Sequence, residues 1–309
     1  MTPLCEAIVR GHQVRKSRAQ KAAFRELVKA EMRKEGVFFR EERTKGLLEN
    51  VNLVCGDLSN AEYVFGAHYD TCAELPFPNL AAPLNIPLSI LMQVFLTLML
   101  ALPAALGAFL TAYLGASADV AAAVGVLLGV LASALVIAGK PNRHTMNDNT
   151  SGVVALLTLL SRLPKERRGR VAVVLFDNEE VGLIGSTLFR KRHARVMADK
   201  PLVNLDCVGD GDMLLLAPNR GYRADEELCA RTQAAFPAGA LAPVFARRAF
   251  YPSDQWGFPK ALALAALKRR RFFGAVIDRI HTRRDTILEE KNIEYIVEGL
   301  LRLTDHENA

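Results

Sequence analysis

The strongest constraint on this chain is a gap in its charges. The 44 residues between Glu74 and Asp119 contain no Asp, Glu, Lys or Arg, and another 20 uncharged residues separate Asp119 from Lys140. About 20 apolar residues cross a bilayer core as a helix. Residues 85–114 are long enough to cross even with a kink at Pro103, and residues 119–139 supply a second span. A core or dimerisation hairpin of a soluble protein keeps some polar residues on one side of each helix, and this stretch has no polar face. We therefore expect an α-helical transmembrane hairpin over residues 81–139, inserted into a domain formed by residues 1–80 and 140–309.

The hairpin explains a mean hydropathy of +0.13 that is high for a soluble enzyme. It also predicts an orientation. The connecting loop around residues 115–118 has no Lys or Arg, while all 39 basic residues lie outside the hairpin, so the positive-inside rule puts the remaining domain in the cytoplasm. Contact with the bilayer is expected, and the hairpin offers a surface for a homo-oligomer. Net charge is +6. Arg10, Arg15, Lys16, Arg18, Lys21, Arg25, Lys29, Arg33 and Lys34 fall within residues 3–35, which read as one amphipathic helix. Its basic face suits either anionic headgroups or plain solvation. Aromatic residues do not interleave with the basic ones, which argues against a nucleic-acid partner. The start of the chain is basic without an apolar h-region, so no signal peptide is expected. Five cysteines without a CxxC spacing fit a reducing compartment.

Outside the hairpin, strand-like runs alternate with helical ones. Strands are expected at 50–57, 61–70, 170–176, 201–209, 212–218 and 272–278, and helices at 151–164, 182–198, 224–235 and 289–304. Such alternation predicts an α/β fold, a three-layer structure with a mostly parallel or mixed central sheet and helices on both faces. Its ligands bind at the carboxyl ends of the strands.

Those ends carry the chemistry. The run VAVVLF (171–176) stops at Asp177, Glu179 and Glu180; YVFGAHYD ends in His68 and Asp70; PLVNLD ends in Asp206; and AVIDRIHTRRD ends in His281 and Asp285. Asp148 stands just ahead of a helix. Carboxylates crowded at the end of a buried strand repel one another unless a cation sits among them. Imidazole and carboxylate donors without thiolates suit catalytic Zn²⁺, with Mn²⁺ and Co²⁺ as competitors. The donors suffice for two ions sharing a bridging carboxylate.

In that order the motifs HYD (68–70), NDNTSG (147–152), EEVGLIGS (179–186), NLD (204–206) and HTRRDT (281–286) resemble those of the M28 family of zinc aminopeptidases. The resemblance implies two zinc ions held by His68, Asp148, Glu180, Asp206 and His281, with Asp148 between them. It makes Glu179 the general base, since adjacent residues leaving a strand point different ways and only one of the two glutamates readily ligates. Asp70, on the same strand side as His68, is grouped with the catalytic residues as the carboxylate that orients that imidazole; Asp285 has the same expected relation to His281. Tyr251, Ser253, Asp254 and Trp256 in YPSDQWGFP resemble the family's substrate-pocket loop. Asp177 and Cys207 are expected to pack or hydrogen-bond locally, and KRRR (268–271) to be a solvated run.

The reading that follows is a membrane-embedded dinuclear zinc hydrolase, an aminopeptidase for hydrophobic or membrane-associated peptides. Two others stand beside it: an amidase or deacylase of N-acyl or lipid-linked amino acids, and a non-catalytic receptor-like relative, which would lose ligands that this chain keeps.

Overall fold

In the computed structural model, which describes residues 1–46 and 48–305, β-strands gather into one mixed sheet in the order β1-β2-β4-β3-β5-β8-β6-β7. The strands are β1 (Phe39–Thr44), β2 (Asn50–Cys55), β3 (Tyr63–His68), β4 (Val171–Phe176), β5 (Leu202–Leu205), β6 (Met213–Pro218), β7 (Ala242–Phe245) and β8 (Ala261–Arg270), with the short β9 (Gly274–Val276) paired to β8 alone. The four central strands β4, β3, β5 and β8 run parallel, while β1, β2 and β6 join antiparallel.

Alternation explains why the central strands are buried on both faces. In β4, Val171, Val173 and Leu175 enter the core beneath the helices α1 (Pro3–Gly11), α2 (Arg18–Lys34), α5 (Gly152–Arg162), α8 (Glu226–Ala235) and α9 (Glu290–Leu303). Ala172, Val174 and Phe176 point the other way, into a smaller core with Phe189 of α6 (Ile184–Arg192) and Phe258. The expected three layers are therefore present, with α7 (Arg220–Arg223) as a single turn beside β6.

Three expectations need correction. Residues 3–35 form two helices, because Thr2 caps α1 and a capping box between Ser17 and Gln20 restarts the chain as α2. The break between them turns Arg15 inward. Strand β8 was not expected, since alanine in ALALAAL favours helix over strand; it is nevertheless buried from Ala261 to Leu267 between the two layers. Its end is the KRRR run, where Lys268 pairs with Asp210 at 3.2 Å and Arg270 with Asp278, so two of these residues are fixed rather than solvated. Residues 272–278 keep only the three-residue β9, and β1 and β7 add edge strands too polar or too short to read as such.

The charge-free stretch forms an antiparallel hairpin, α3 (Ile86–Tyr113) and α4 (Ala118–Ala138). None of the most apolar window of α3, and 11% of that of α4, is buried, so these are not core helices. Both are long and apolar enough to cross a membrane. Gly125 lies against Ala104 and Ala108 and lets the two helices approach closely. The roots of the hairpin are tied together: Glu74 N–H donates to Lys140 O at 2.9 Å and Asn142 N–H to Cys72 O at 3.2 Å. The segments that lead into and out of the hairpin are therefore joined within a few residues of the sheet's carboxyl edge.

Candidate metal centre

The chain leaves β3 toward β4 on one side and later returns as β5 on the other, which opens a crevice at the carboxyl ends of these strands. His68 ends β3, Asp206 follows β5 directly, and Glu179 and Glu180 lie in the turn after β4. Asp148 is carried by the irregular turn 146–151 before α5, and His281 by the loop after β9. Among the described residues, four non-glycine residues have positive φ: Asn178, Leu183, Cys207 and His281. All lie in these loops, and such backbone costs on the order of 1 kcal/mol each, which is tolerated at sites that must aim side chains. Gly185 is demanded by contact: a Cβ there would sit 2.1 Å from Asp177 O.

The five expected ligands meet. His68 Nε2 lies 3.3 Å from Asp148 Oδ1 and 3.6 Å from Asp206 Oδ1. On the other side, His281 Nε2 lies 3.1 Å from Asp148 Oδ2 and 3.1 Å from Glu180 Oε2. The two oxygens of Asp148 thus face two separate groups of donors, each with one imidazole and one further carboxylate. Donor atoms of His68, Glu179 and Asp206 also come within 4.8 Å of one another. His68 Nε2, Asp206 Oδ1 and Glu180 Oε1 are buried and have no hydrogen-bond partner among the described residues. Unsatisfied nitrogen and oxygen donors converging in this way fit a divalent cation, zinc above all. Cys72 beside Glu180 and His281, and Cys207 beside Asp148 and Asp206, stand close enough to contribute sulfur, a possibility hidden by their unmotivated places in the sequence.

Asp70 and Asp285 act on backbone rather than only on imidazoles. Asp70 accepts the N–H groups of Glu179 and Glu180 at 3.0 and 3.2 Å, and its own carbonyl is 3.1 Å from His68 Nδ1. Asp285 accepts the N–H groups of Asn147 and Asp148 at 2.8 and 2.9 Å, and does not orient His281. That task falls to Asn79, whose Nδ2 is 3.3 Å from His281 Nδ1. Each buried carboxylate therefore fixes one ligand-bearing turn.

Crowding shifts the protonation of these groups. Burial alone would raise Asp148, but His281 and His68 on its two oxygens hold it below the usual carboxylate range. Burial opposes charge on His68, yet Glu179 and the neighbouring aspartates hold its imidazole well above its ordinary value. Burial pushes Glu179 well up. It also lifts Asp254 to about 7 and Asp285 to about 8.

Positive charge reaches the centre from behind. Arg15 is fully buried, with Nη1 donating to His12 O at 2.7 Å and to Thr150 Oγ1 at 3.1 Å, and Nε donating to Tyr69 O. Burial lowers its pKa to about 10, and Asp70 and Asp148 oppose that shift. Lys21 Nζ donates to Asp177 Oδ1 at 2.7 Å, and Arg25 Nη1 to Tyr69 Oη at 3.0 Å. For these three residues the expected solvent or headgroup contact is corrected: the break between α1 and α2 and the inner face of α2 carry them into the core. Asp177 is held locally, as expected, by Lys21 and by Val51 N–H.

A cavity of about 420 Å³ opens from Asp148, Glu179, Asp206 and His281 toward α3 and α4, where Met92, Leu96 and Val136 face it. Of the expected pocket loop, Tyr251 lines this cavity and donates from its hydroxyl to Asp206 O at 3.2 Å. Ser253 and Asp254 are fully buried beneath it, with Ser253 accepting from Asn204 Nδ2 at 3.1 Å. Trp256 is 56% exposed and does not line the cavity; it meets Phe250, which does, edge-on at 6.2 Å.

The mixed sheet flanked by helices, with imidazoles and carboxylates gathered at its carboxyl edge, has the fold seen in zinc-exopeptidase structures. The model of peptidase family M28 matches residues 51–297, and the chain belongs to that family. No curated protein sequence matches it. Among solved structures it is similar to a glutaminyl cyclase of Porphyromonas gingivalis, with a TM-score of 0.62 and 16% identity over 98% of this chain and 96% of that one. A Zn-dependent exopeptidase of Parabacteroides distasonis gives a TM-score of 0.58 and 13% identity over 98% and 95%. A leucine aminopeptidase precursor of Bacteroides thetaiotaomicron gives 0.59 and 13% over 97% and 93%.

Proposed function

We propose that this protein is a membrane-anchored, zinc-dependent aminopeptidase for apolar peptides, with two metal ions. The observation that carries the reading is Asp148 between two donor groups, His68 with Asp206 and His281 with Glu180, each within 3.1–3.6 Å. Those five residues would hold the ions, which when bound polarise a carbonyl and acidify water. Glu179 would take the proton of the attacking water and return it to the leaving amine; its place in the cavity suits both steps. Asp70, through the N–H groups of Glu179 and Glu180, would keep base and ligand apart in direction. The apolar wall from α3 and α4 supports a hydrophobic substrate, and the two exposed apolar helices support a hairpin that spans the bilayer; the absence of Lys and Arg from its connecting loop is the ground for placing the domain on the cytoplasmic side.

The likeness to glutaminyl cyclases supports a second reaction at the same centre, in which the substrate's own amino group attacks a side-chain amide and ammonia leaves. One screen separates the readings. The purified protein, analysed for metal, is offered leucine arylamide, an N-acyl-leucine and a peptide with amino-terminal glutamine. Release of arylamine gives the aminopeptidase, hydrolysis of the acyl amide the deacylase, and loss of ammonia the cyclase. Absence of bound divalent metal after reconstitution with Zn²⁺ overturns all three.

A further inference from the structure

Strand β8 outruns the central sheet. Its pairing with β5 stops at Leu264, yet it continues to Arg270, about 20 Å of strand past the carboxyl edge of its parallel neighbours. β9 returns beside it, antiparallel from Gly274 opposite Arg270 to Val276 opposite Lys268, and Arg271, Phe272 and Phe273 form the tip of this finger. The next residue, Ile277, exchanges two backbone hydrogen bonds of 2.9 Å with Ala81. That bridge is antiparallel, so the chain at Ala81 runs with β8, away from the sheet, and it reaches Asn85, the cap of α3, within a few residues. The finger and the root of the hairpin therefore lie side by side and leave the domain in the same direction.

The tip is unlike a solvated turn. Phe272 is 85% exposed and Phe273 45%, and neither ring joins a hydrophobic core among the described residues. Lys268 and Arg270 are paired with Asp210 and Asp278, but Arg269 and Arg271 make no ion pair among the described residues, and Arg271 lies over the Phe272 ring at 5.6 Å. Two more exposed rings stand beside the same root: Phe250, whose N–H donates to Pro83 O at 2.9 Å, and Trp256, which meets Phe250 edge-on. Rings and free cations at the level where a span leaves water match a membrane interface, in which aromatic side chains enter the boundary between headgroups and acyl chains and cations meet phosphate. A soluble acidic partner answers the charges alone, whereas a leaflet around α3 answers the charges, the rings and the shared direction together.

We propose that the β8–β9 finger is a second membrane contact, specific for an anionic leaflet: Phe272 and Phe273 enter the headgroup boundary beside α3, and Arg269 and Arg271 meet lipid phosphates. This rests on the reading of α3 and α4 as membrane spans and adds the class of lipid that the domain recognises. His281 follows Ile277 by four residues, so a finger held in the leaflet also holds the mouth of the catalytic cavity against the membrane surface.

The test uses the full chain in lipid nanodiscs of phosphatidylcholine alone or mixed equally with phosphatidylglycerol, with lipids brominated near the headgroup as fluorescence quenchers. Trp256 is the only tryptophan, so Trp256→Phe gives a dark background. Into it one indole is placed at a time, by Phe272→Trp at the exposed tip or by Leu98→Trp in the middle of α3, where the side chain is also exposed. The indole of Phe272→Trp is expected to emit at shorter wavelength than in water and to be quenched by the brominated lipid, more strongly in the anionic discs. Adding Arg269→Gln and Arg271→Gln should lower the ratio of inserted to free tip in those discs by about five-fold for each charge removed. Quenching at position 98 without quenching at position 272 overturns the finger contact and leaves the spans standing. Equal quenching at position 272 in both discs, unmoved by the arginine changes, overturns the recognition of anionic lipid. A short-wavelength emission that bromine does not quench assigns the tip to a protein partner and overturns the proposal as well. Quenching at neither position removes the membrane reading itself.

Discussion

Replacing Arg15 by Met removes a buried cation that has no carboxylate in direct contact among the described residues. The guanidinium bonds to the carbonyls of His12 and Tyr69 and to Thr150 Oγ1, and so ties the strand end that carries His68 and Asp70 to the turn that carries Asp148. A hydrogen bond from a charged donor contributes about 1.5–3 kcal/mol, and an acceptor left bare in the interior costs about 1–3 kcal/mol. Relief of the buried charge offsets part of this, so the net loss should resemble the breaking of a buried ion pair, roughly 3–5 kcal/mol. Against a total stability of about 5–15 kcal/mol that is a large share. At roughly 2–4 °C per kcal/mol it lowers Tm by on the order of 10 °C.

The electrostatic part has its own signature. Arg15 acts on Asp70 and Asp148, the same carboxylates whose charge a bound divalent cation compensates. The variant should therefore lose more in chelator-stripped protein than in zinc-loaded protein, and the rise in Tm on adding Zn²⁺ should be larger in Arg15→Met than in the wild type. Arg15→Lys keeps the charge but lacks the planar fork, and should fall between them in both states. Differential scanning calorimetry of the three proteins, stripped and loaded, measures all of this. Equal losses with and without zinc would show that Arg15 is only a mechanical tie, and no loss at all would refute its burial.

Three further outcomes are expected. Glu179→Gln should keep its metal by elemental analysis while turnover falls by about 10²–10⁴, the contribution of a general base, whereas Asp148→Ala should lose metal itself; metal loss in the first or retention in the second would reverse the assigned roles. Asp225 caps α8 through Leu228 N–H and pairs with Lys260, and these hold its carboxyl below the ordinary value. Its contribution is present above the unfolded-state pKa and disappears as pH falls through the folded one, so Asp225→Ala should cost about 1 kcal/mol in urea unfolding at pH 7 and markedly less in acid. A cysteine at Ala116, in the loop joining α3 to α4, should react with an impermeant thiol reagent added to intact cells; labelling only after lysis would reverse the proposed topology.

The candidate site was legible in the sequence because all its residues but Asp148, which stands ahead of a helix, follow a strand, and a parallel sheet brings strand ends to one edge. His68, Asp148, Glu179, Glu180, Asp206 and His281 needed no long-range contact to be found. What supports them was legible only in part, through Asp70. Asp285 grips the turn of Asp148 from 137 residues away, and Arg15 reaches Thr150 across 135. Asp285 stands in the HTRRDT motif, but nothing local marks the turn it holds, and Arg15 lies in a run of basic residues whose periodicity points to a surface. Strand β8 was hidden by alanine, which is favourable in a helix and is used here because a strand between two packed layers has little room for larger side chains.

The place of the hairpin follows from the fold itself. The connection from β3 to β4 passes over the carboxyl edge before α5 carries the chain back, and the hairpin is inserted in that passage. Its roots, zipped at Cys72–Asn142 and Glu74–Lys140, are then only a few residues from His68 on one side and Asp148 on the other. Helices rooted there cannot avoid the mouth of the cavity, and Met92, Leu96 and Val136 become its wall. An anchor at either end of the chain would hold the domain at a membrane equally well but would leave that mouth open to water. In the proposed reading this position couples the hairpin to substrate choice, and removing about equal lengths from the loop ends of α3 and α4, so that residues 86–100 and 132–138 remain, should loosen attachment to membranes before it changes the hydrolysis of tetraleucine amide in micelles.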